Sequence, residues 1–330
     1  MRPRLSSTAV LAALAALAAP CGSAAQEPST GGAPSEGAAF LLLPVGARAV
    51  GMGGAVTGMR GVGELVLWNP AGVAAMTDRR LLFNHSESAF DTRSDVLSLA
   101  WPIRSLGTFA LSYYLVDYGE LTSTGPDGSV TGSINFRNQE FLLSFAARVV
   151  GPLELGINYK LIQLIFRCDG ICAGTQSFTR TTHAFDFGLI WSRVAGVPLS
   201  LGGSLRHLGF PLKGEDEDDP LPTRVRVGLA YQALSAFTND STVTLVLTMD
   251  LEDQTRDLGE PDVMFGAELG VTGLFFIRAG YAFLDTGFGG PTLGLGVTYD
   301  WFYLDLSRGF DEISSATGED AVQVSFGIIF

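Results

Sequence analysis

The chain has 330 residues, with 34 acidic residues against 21 lysines and arginines, so its formal net charge is −13. Such an acidic chain lacks the basic surface that phosphate groups require, which argues against nucleic acid as a partner. Only 17% of the residues are charged and 47% are hydrophobic, which excludes an intrinsically disordered chain. The apolar residues must therefore be buried in a protein core or in a lipid bilayer.

Residues 1–25 are organised like a secretory signal peptide. Arg2 and Arg4 precede an apolar run of alanine and leucine, and small residues suitable for cleavage follow. The apolar run is shorter than the roughly 20 residues that a membrane anchor needs. Cys21 raises the alternative of a lipoprotein, but the proline directly before it fits a lipoprotein signal poorly. Residues 26–39 have the composition of a flexible leader.

Residues 40–79 show no strand-like alternation and are rich in glycine. Asn69 is a favourable helix N-cap and Pro70 suits the first helical position, so a short helix is predicted to begin at residue 70. In a periplasmic linker the apolar residues 41–43 and Trp68 would be left in water. We therefore predict that this segment is a plug, housed inside the structure that residues 80–330 form.

From residue 80 onward the dominant pattern is alternation with a period of two. Near the end of the chain, Val324, Phe326 and Ile328 alternate with Ser325 and Gly327. A soluble β-sandwich produces the same alternation, with its apolar face hidden in a core. Strands of about ten residues, a small or polar opposite face and aromatic residues near strand ends favour a transmembrane barrel instead.

The connections between these strands alternate between short and long. Turns such as 151–152 and 272–273 are short, whereas the polar loops predicted at 118–134 and 251–259 are long. Short periplasmic turns and long outer loops are typical of outer-membrane barrels, which in bacteria have an even number of strands. The predicted fold is therefore all-β, a transmembrane antiparallel β-barrel of about 14 strands with a short N-terminal plug that contains a helix.

Four short stretches of the plug resemble the PorV/PorQ family of outer-membrane barrels, a branch of the FadL-like group. They are Leu43-Pro44, Gly46-Ala47-Arg48, Gly51-Met52-Gly53 and Trp68-Asn69-Pro70-Ala71. The FadL-like group is implied to have fourteen strands and an N-terminal plug. The residues expected to form the plug and gate are Leu43, Pro44, Arg48, Gly51, Gly53, Trp68, Asn69 and Pro70.

This resemblance implies two different functions. PorV-like proteins act with the type IX secretion system and shuttle secreted cargo to the cell surface. FadL-like proteins instead pass hydrophobic small molecules inward. A secretion accessory or cargo shuttle is the first expectation, and a diffusion channel for hydrophobic small molecules is the alternative. In both cases the chain is expected in the outer membrane of a Gram-negative-type bacterium, with outer-membrane lipid and secreted cargo or a hydrophobic ligand as partners.

The alternation directs several charged side chains into the predicted lumen. They are Arg148, Glu154, Lys160, Asp186, Arg224, Arg226, Arg278 and Asp305. Two interpretations remain open: these charges pair with one another and with the plug, keeping the interior closed, or they line a polar passage that selects solutes. Arg48 of the plug is a natural partner for Asp186 or Asp305.

The sequence contains little that indicates catalysis. No H-E-x-x-H or G-x-S-x-G motif is present, so no enzyme activity, cofactor or metal is expected. Cys168 and Cys172 lie in a predicted outer loop, where an oxidising compartment favours a disulfide over two free thiols. The acidic run 215–219 is read as a solvated loop, with weak Ca²⁺ binding as the alternative.

The last strand carries a candidate assembly signal. Phe326, Ile328 and Phe330 lie on one face of it, and we expect them to mark the chain for the barrel assembly machinery.

Overall fold

The computed structural model describes residues 36–88, 91–172, 176–214, 218–236, 242–284, 289–310 and 321–330. The predicted signal peptide, the leader up to residue 35 and three residues of the acidic run, 215–217, lie outside the described residues.

Residues 80–330 form fourteen antiparallel strands that close into a barrel, with β1 paired to β14. The prediction of a 14-stranded antiparallel barrel is confirmed. The strands are β1 (Arg80–Ser88), β2 (Thr92–Ile103), β3 (Gly107–Thr124), β4 (Val130–Val150), β5 (Leu153–Gly170), β6 (Phe178–Trp191), β7 (Leu199–Gly209), β8 (Arg224–Gln232), β9 (Val243–Gln254), β10 (Asp257–Val271), β11 (Phe275–Phe283), β12 (Gly290–Tyr299), β13 (Phe302–Gly309) and β14 (Val322–Ile329).

The strand periodicity sorts the side chains into two environments. Leu111, Leu143 and Leu295 point outward and are 61%, 57% and 59% exposed, although they are apolar. Inward-facing neighbours such as Ser112 and Ser144 are buried. Large apolar side chains around a closed barrel require lipid rather than water outside them, so the chain is an outer-membrane protein.

Within the described ranges, no helix combines the length and the apolar character that spanning a bilayer would require.

Two predicted outer loops are largely strand. The sequence assigned residues 118–134 and 251–259 to loops, but β3 and β4 stay paired through Glu120 and Asn135, and only residues 255 and 256 separate β9 from β10. These stretches are polar because they extend beyond the bilayer. Backbone hydrogen bonding between strands does not require apolar side chains, so the strands continue there although the hydropathy of a spanning strand is missing. The wall formed by β3, β4 and β5 is the longest, with strands of 18, 21 and 18 residues.

The short connections use left-handed backbone conformations. Thr272 and Gly273 both have positive φ, 53° and 66°, as the two central residues of a type I′ hairpin require. Such a turn matches the twist of the two strands it joins, which explains how β10 and β11 are connected by so few residues.

Residues 36–76 lie inside the barrel and contain one α-helix and three short 3-10 helices, and the exposed residues 77–79 lead from them to β1. The helix α1 spans Ala47–Gly51, and the 3-10 helices span Ala39–Leu42, Gly63–Leu67 and Pro70–Ala75. A helical turn begins at Pro70 as expected, and the Asn69 side chain caps it by accepting a hydrogen bond from the Ala71 N–H at 3.1 Å. This stretch of the chain is called the plug below.

Candidate functional site

The plug rests on a row of inward-facing glycines in the barrel wall. A Cβ atom placed at any of these positions would come within 3.1 Å or less of a plug atom, so the plug backbone lies directly against the strands. We call this row the glycine wall. It comprises Gly156, Gly188, Gly202, Gly228, Gly266, Gly280 and Gly294.

Arg48 anchors the first turn of the plug to the wall. Its guanidinium donates to Glu268 at 2.6 Å, and Arg278 binds Glu268 at 2.6 Å and Asp305 at 2.5 Å. This arrangement differs from the expectation that Arg48 pairs with Asp186 or Asp305. Arg278 already holds Asp305, and Asp186 is bound by Lys160 at 3.0 Å.

Glu64 ties two parts of the plug together. Its carboxylate accepts a hydrogen bond from the Ala49 N–H in α1 at 2.8 Å, and its side chain is almost fully buried. Burial and the nearby Asp305 raise the pKa of Glu64 to about 7. Glu64 belongs to the plug and not to a spanning strand, so its protonation links pH to how the plug folds.

A second anchor holds the middle of the plug. Asp250 accepts hydrogen bonds from the Val56 and Thr57 N–H groups at 3.0 and 2.9 Å, and Arg226 donates to the Gly54 carbonyl at 2.9 Å. Arg226 in turn binds Glu252 at 2.8 Å. These charges pair with the plug and with one another, which favours the closed interpretation of the lumen.

Two further ion pairs hold the middle and the start of the plug. Arg60 binds Glu154, which also accepts a hydrogen bond from Arg148 at 3.0 Å. At the start, Arg224 donates two hydrogen bonds to Glu36, at 2.9 and 2.7 Å. The predicted lumen charges therefore all face inward, although Arg148 lies at the rim with 57% of its side chain exposed.

A buried polar cluster lies higher in the lumen, on β4 to β7. Lys160 is 2% exposed and lies 3.1 Å from Glu140, 3.0 Å from Asp186 and 3.1 Å from Nδ1 of His207. Opposite Asp186, β7 carries a β-bulge in which Arg206 and His207 face the same partner residue, and His207 has a φ of 59°. The bulge therefore places two neighbouring side chains in the lumen.

Beside the plug, this cluster borders a cavity whose volume is about 20 Å³, enough for about one water molecule. The lining residues divide into two kinds. The apolar and aromatic ones are Leu41, Leu43, Val45, Leu67, Trp68 and Tyr114, and the polar ones are Glu140, Lys160, Arg206 and His207. Two buried polar atoms of the lining, Arg206 Nε and His207 Nε2, have no hydrogen-bond partner among the described residues.

An aromatic row leads from the outer mouth toward this cavity. Phe178 stacks on Phe166 with 5.2 Å between ring centroids, and Phe166 pairs across the strands with Phe136. Phe136 lies 5.2 Å from Tyr118, which packs against the apolar cluster that contains Leu41 and Tyr114. The apolar surface is thus continuous from the mouth to the cavity.

The predicted plug residues occupy two regions of the lumen. Leu43 and Trp68 line the cavity, Pro44 accepts a hydrogen bond from Gln323 at 2.7 Å, and Gly51 and Gly53 lie on the glycine wall. Several buried charges of the lumen were not predicted from the sequence, although most of them lie in phase with small or polar inward neighbours. They are Glu64, Glu140, Arg206, Asp250, Glu252 and Glu268.

The remaining candidate residues lie outside the lumen. A disulfide joins Cys168, near the end of β5, to Cys172, just after it. Phe326 and Ile328 face outward on β14, and Phe330 is 56% exposed. In the part of the chain that the structure describes, no cluster of histidine, cysteine or carboxylate side chains could hold a metal ion.

Solved outer-membrane transporters have the same fold over most of this chain. The Ralstonia pickettii toluene transporter TbuX matches with a TM-score of 0.55 and 12% identity, covering 88% of this chain and 98% of its own. The Pseudomonas putida toluene transporter TodX gives 0.55 and 12%, covering 86% and 97%. This chain therefore has the fold of these transporters. A Pseudomonas aeruginosa FadL homologue matches with a TM-score of 0.51 and 12% identity, covering 87% and 97%.

No protein-family model matches the chain, and no curated protein matches it.

Proposed function

We propose that this protein is a channel that passes apolar small molecules across the outer membrane, along the side of its plug. The single observation that carries the proposal is the cavity between the plug and the polar cluster, joined to the outer mouth by the aromatic row. Apolar pockets that hold a few polar groups are the usual form of small-molecule sites.

The lining of the cavity fits an apolar molecule better than an ion. Leu41, Leu43 and Tyr114 supply apolar surface, whereas the charges opposite them are already engaged with one another. A bare ion would have to compete with those pairs, while an apolar molecule gains from leaving water. Toluene transporters share the fold, which supports the same choice.

Passage requires the plug to shift, because the cavity is too small for a hydrocarbon of the size of toluene. The outer stretch of the plug, residues 36–45, borders the cavity together with Leu67 and Trp68, and the Glu36–Arg224 ion pair holds its start. The stretch from residue 46 onward is held more extensively, by the glycine wall and by several buried ion pairs. We infer that the outer stretch moves and that the rest stays in place. Leu43 and Pro44 then belong to the gate, while Arg48, Gly51 and Gly53 belong to the fixed part.

The secretion interpretation remains a prediction from the resemblance of the plug motifs. The outer loops and plug would then contact protein cargo, yet the plug residues that carry the resemblance are committed to internal contacts. Trp68 donates to the Val45 carbonyl at 2.9 Å, and Asn69 donates to the Thr57 carbonyl at 2.8 Å. Because Trp68 and Asn69 are buried, their motif supports a structural role in folding the plug. A channel and a secretion accessory would both need such a folded plug. Likewise, we propose no enzymatic activity.

A cavity-filling substitution tests the channel directly. Leu43→Trp should obstruct the cavity and lower the uptake of radiolabelled toluene by cells that lack other hydrocarbon channels. Leu106→Trp is the matched control, because Leu106 is 54% exposed in a short turn and should leave uptake unchanged. Equal uptake by both variants and the parent, at equal amounts of folded barrel, would contradict the proposal.

A further inference from the structure

A groove of about 390 Å³ lies outside the lumen, at the foot of the seam where β1 meets β14. We call it the rim groove. It is formed in part by Asp78, Arg79, Trp101, Ile103, Arg104 and Phe330. It lies at the barrel end that carries the short connections, which is the periplasmic end of an outer-membrane barrel.

Backbone pairing fixes the position of the first guanidinium in this groove. The Arg79 N–H donates to the Phe330 carbonyl at 3.1 Å, and the Phe330 N–H donates to the Arg79 carbonyl at 3.0 Å, so the β1–β14 ladder continues by one step. The Arg79 guanidinium lies 4.0 Å from the ring centroid of Trp101. This cation–π contact orients Arg79 at the edge of the groove.

An apolar column rises from the groove along the outer wall. Leu81 pairs with Leu99, and Phe83 pairs with Leu97 and with Phe326. Phe83 and Leu97 are 46% and 49% exposed, and Trp101 below them is 40% exposed. A tryptophan at the foot of an apolar column marks the interface between hydrocarbon and head groups. Arg79 and Arg104 therefore lie at head-group depth.

The guanidiniums in the groove are available to an anion. Neither Arg79 nor Arg104 forms an ion pair within 4.0 Å in the described part of the chain. Asp78 is a nearby carboxylate, and it accepts a hydrogen bond from Thr77 at 2.9 Å. Arginine recognises phosphate through paired hydrogen bonds, and basic pockets beside an apolar wall bind lipid head groups.

We propose that the rim groove is a binding site for one glycerophospholipid of the periplasmic leaflet. Arg79 and Arg104 bind the phosphate, and the acyl chains lie along the column formed by Leu81, Phe83 and Leu97. The apolar column selects a lipid over a free anion, because only a molecule with both a phosphate and hydrocarbon chains uses both surfaces. The site is separate from the lumen and independent of the proposed channel.

Native mass spectrometry of the full-length chain in detergent, titrated with phosphatidylglycerol, tests this site. The parent should retain one lipid, and the double variant Arg79→Gln/Arg104→Gln should lose at least about tenfold in affinity, as expected for two charge-assisted contacts. Arg193→Gln removes an exposed arginine from another turn at the same end of the barrel and should bind like the parent. Trp101→Ala keeps both guanidiniums and should weaken binding several-fold, roughly as much as one lost cation–π contact.

Three results would overturn the assignment. The first is a double variant that binds phosphatidylglycerol as tightly as the parent. The second is complete displacement of the lipid by inorganic phosphate at equal concentration, which would make the groove a free-anion site. The third is a double variant with normal lipid affinity but less barrel in the outer membrane, which would assign the groove to barrel assembly. Heat-dependent migration on gels shows that each variant is folded.

Discussion

The outer stretch of the plug and its middle pack against different parts of the barrel wall. From Gly51 to Ala71 the plug backbone lies on the glycine wall, where the absence of side chains lets main chain meet main chain. The outer stretch, residues 36–45, instead meets large side chains such as Tyr114 and Ile162 and the cluster around Lys160. The first contact brings backbone within van der Waals distance of backbone, whereas the second borders a small cavity.

This difference explains how a wide barrel can be closed to water and ions and still pass an apolar molecule. Fourteen strands enclose more space than their own side chains fill, so the plug must supply the seal. The glycine wall lets the plug backbone pack directly against the strands, and buried ion pairs hold the plug there. The polar cluster on the other wall is satisfied mostly by itself, so the plug can leave it at a lower cost.

Deleting the outer stretch together with the part of the plug that lies on the glycine wall should have the largest effect. Deletion of residues 38–60 takes away Arg48 and the backbone that covers Gly202 and Gly280. The lumen should then fill with water, and conductance in planar bilayers should rise well above the parent level. A truncated barrel that inserts and conducts no more than the full chain would show that the plug does not close the lumen.

Lys160→Met should be the most destabilising single substitution in the cavity wall. It leaves Glu140 and Asp186 buried without their cation, which costs about 3–5 kcal/mol of unfolding free energy. Arg137→Met is the control, because Arg137 pairs with Asp117 at 2.7 Å with 52% of its side chain exposed and should cost about 0–1 kcal/mol. Denaturant unfolding in micelles measures both, and equal losses would contradict the assignment of a buried cluster.

Glu64 gives the plug a dependence on pH. Its pKa in the folded protein is about 7 against an ordinary 4.5, so the folded state binds this proton more tightly than the unfolded chain does. The contribution to stability is therefore complete below pH 4.5 and is lost as the pH rises to about 7. The loss amounts to about 3 kcal/mol. Glu64→Gln should flatten this part of the profile, and an unchanged slope would show that another group is responsible.

Two adjacent glycines on β7 test whether the plug packs directly against the glycine wall. The Cβ of Gly202→Ala would overlap the Thr57 carbonyl, so the plug must shift, at a cost of about 1–3 kcal/mol. The Cβ of Gly203→Ala meets Leu189 at 3.5 Å, which is ordinary contact, so stability should be unchanged or slightly higher. Unfolding midpoints of the two variants should therefore separate, and coinciding midpoints would argue against a close-fitting seat.

Much of the fold could be predicted because its signals are local. Alternation along each strand, short turns such as 272–273 and the Asn69-Pro70 cap each depend on neighbouring residues, and together they gave the strand number and the plug. The contacts of the site depend on distant residues. Arg48 reaches Glu268 only because of the stagger of the strands and the path of the plug, neither of which is encoded locally. The bulge that turns both Arg206 and His207 inward also breaks the alternation used to find inward residues.

The central claim is that the outer stretch of the plug moves while the glycine-seated part stays fixed, and two engineered disulfides test it most directly. Gly37→Cys/Asp219→Cys ties the outer stretch to the mouth, since a Cβ at residue 37 would lie 2.8 Å from the Asp219 Cβ and a small shift reaches the roughly 3.8 Å of a disulfide. Ala47→Cys/Ser325→Cys ties the seated part, where the Ala47 N–H donates to the Ser325 hydroxyl at 2.9 Å. Toluene uptake is measured with and without reductant, and the parent controls for reduction of Cys168–Cys172. We predict that only the Gly37/Asp219 tether blocks uptake and that reductant restores it. Block by the Ala47/Ser325 tether alone, or uninterrupted uptake with the Gly37/Asp219 tether closed, would contradict the account.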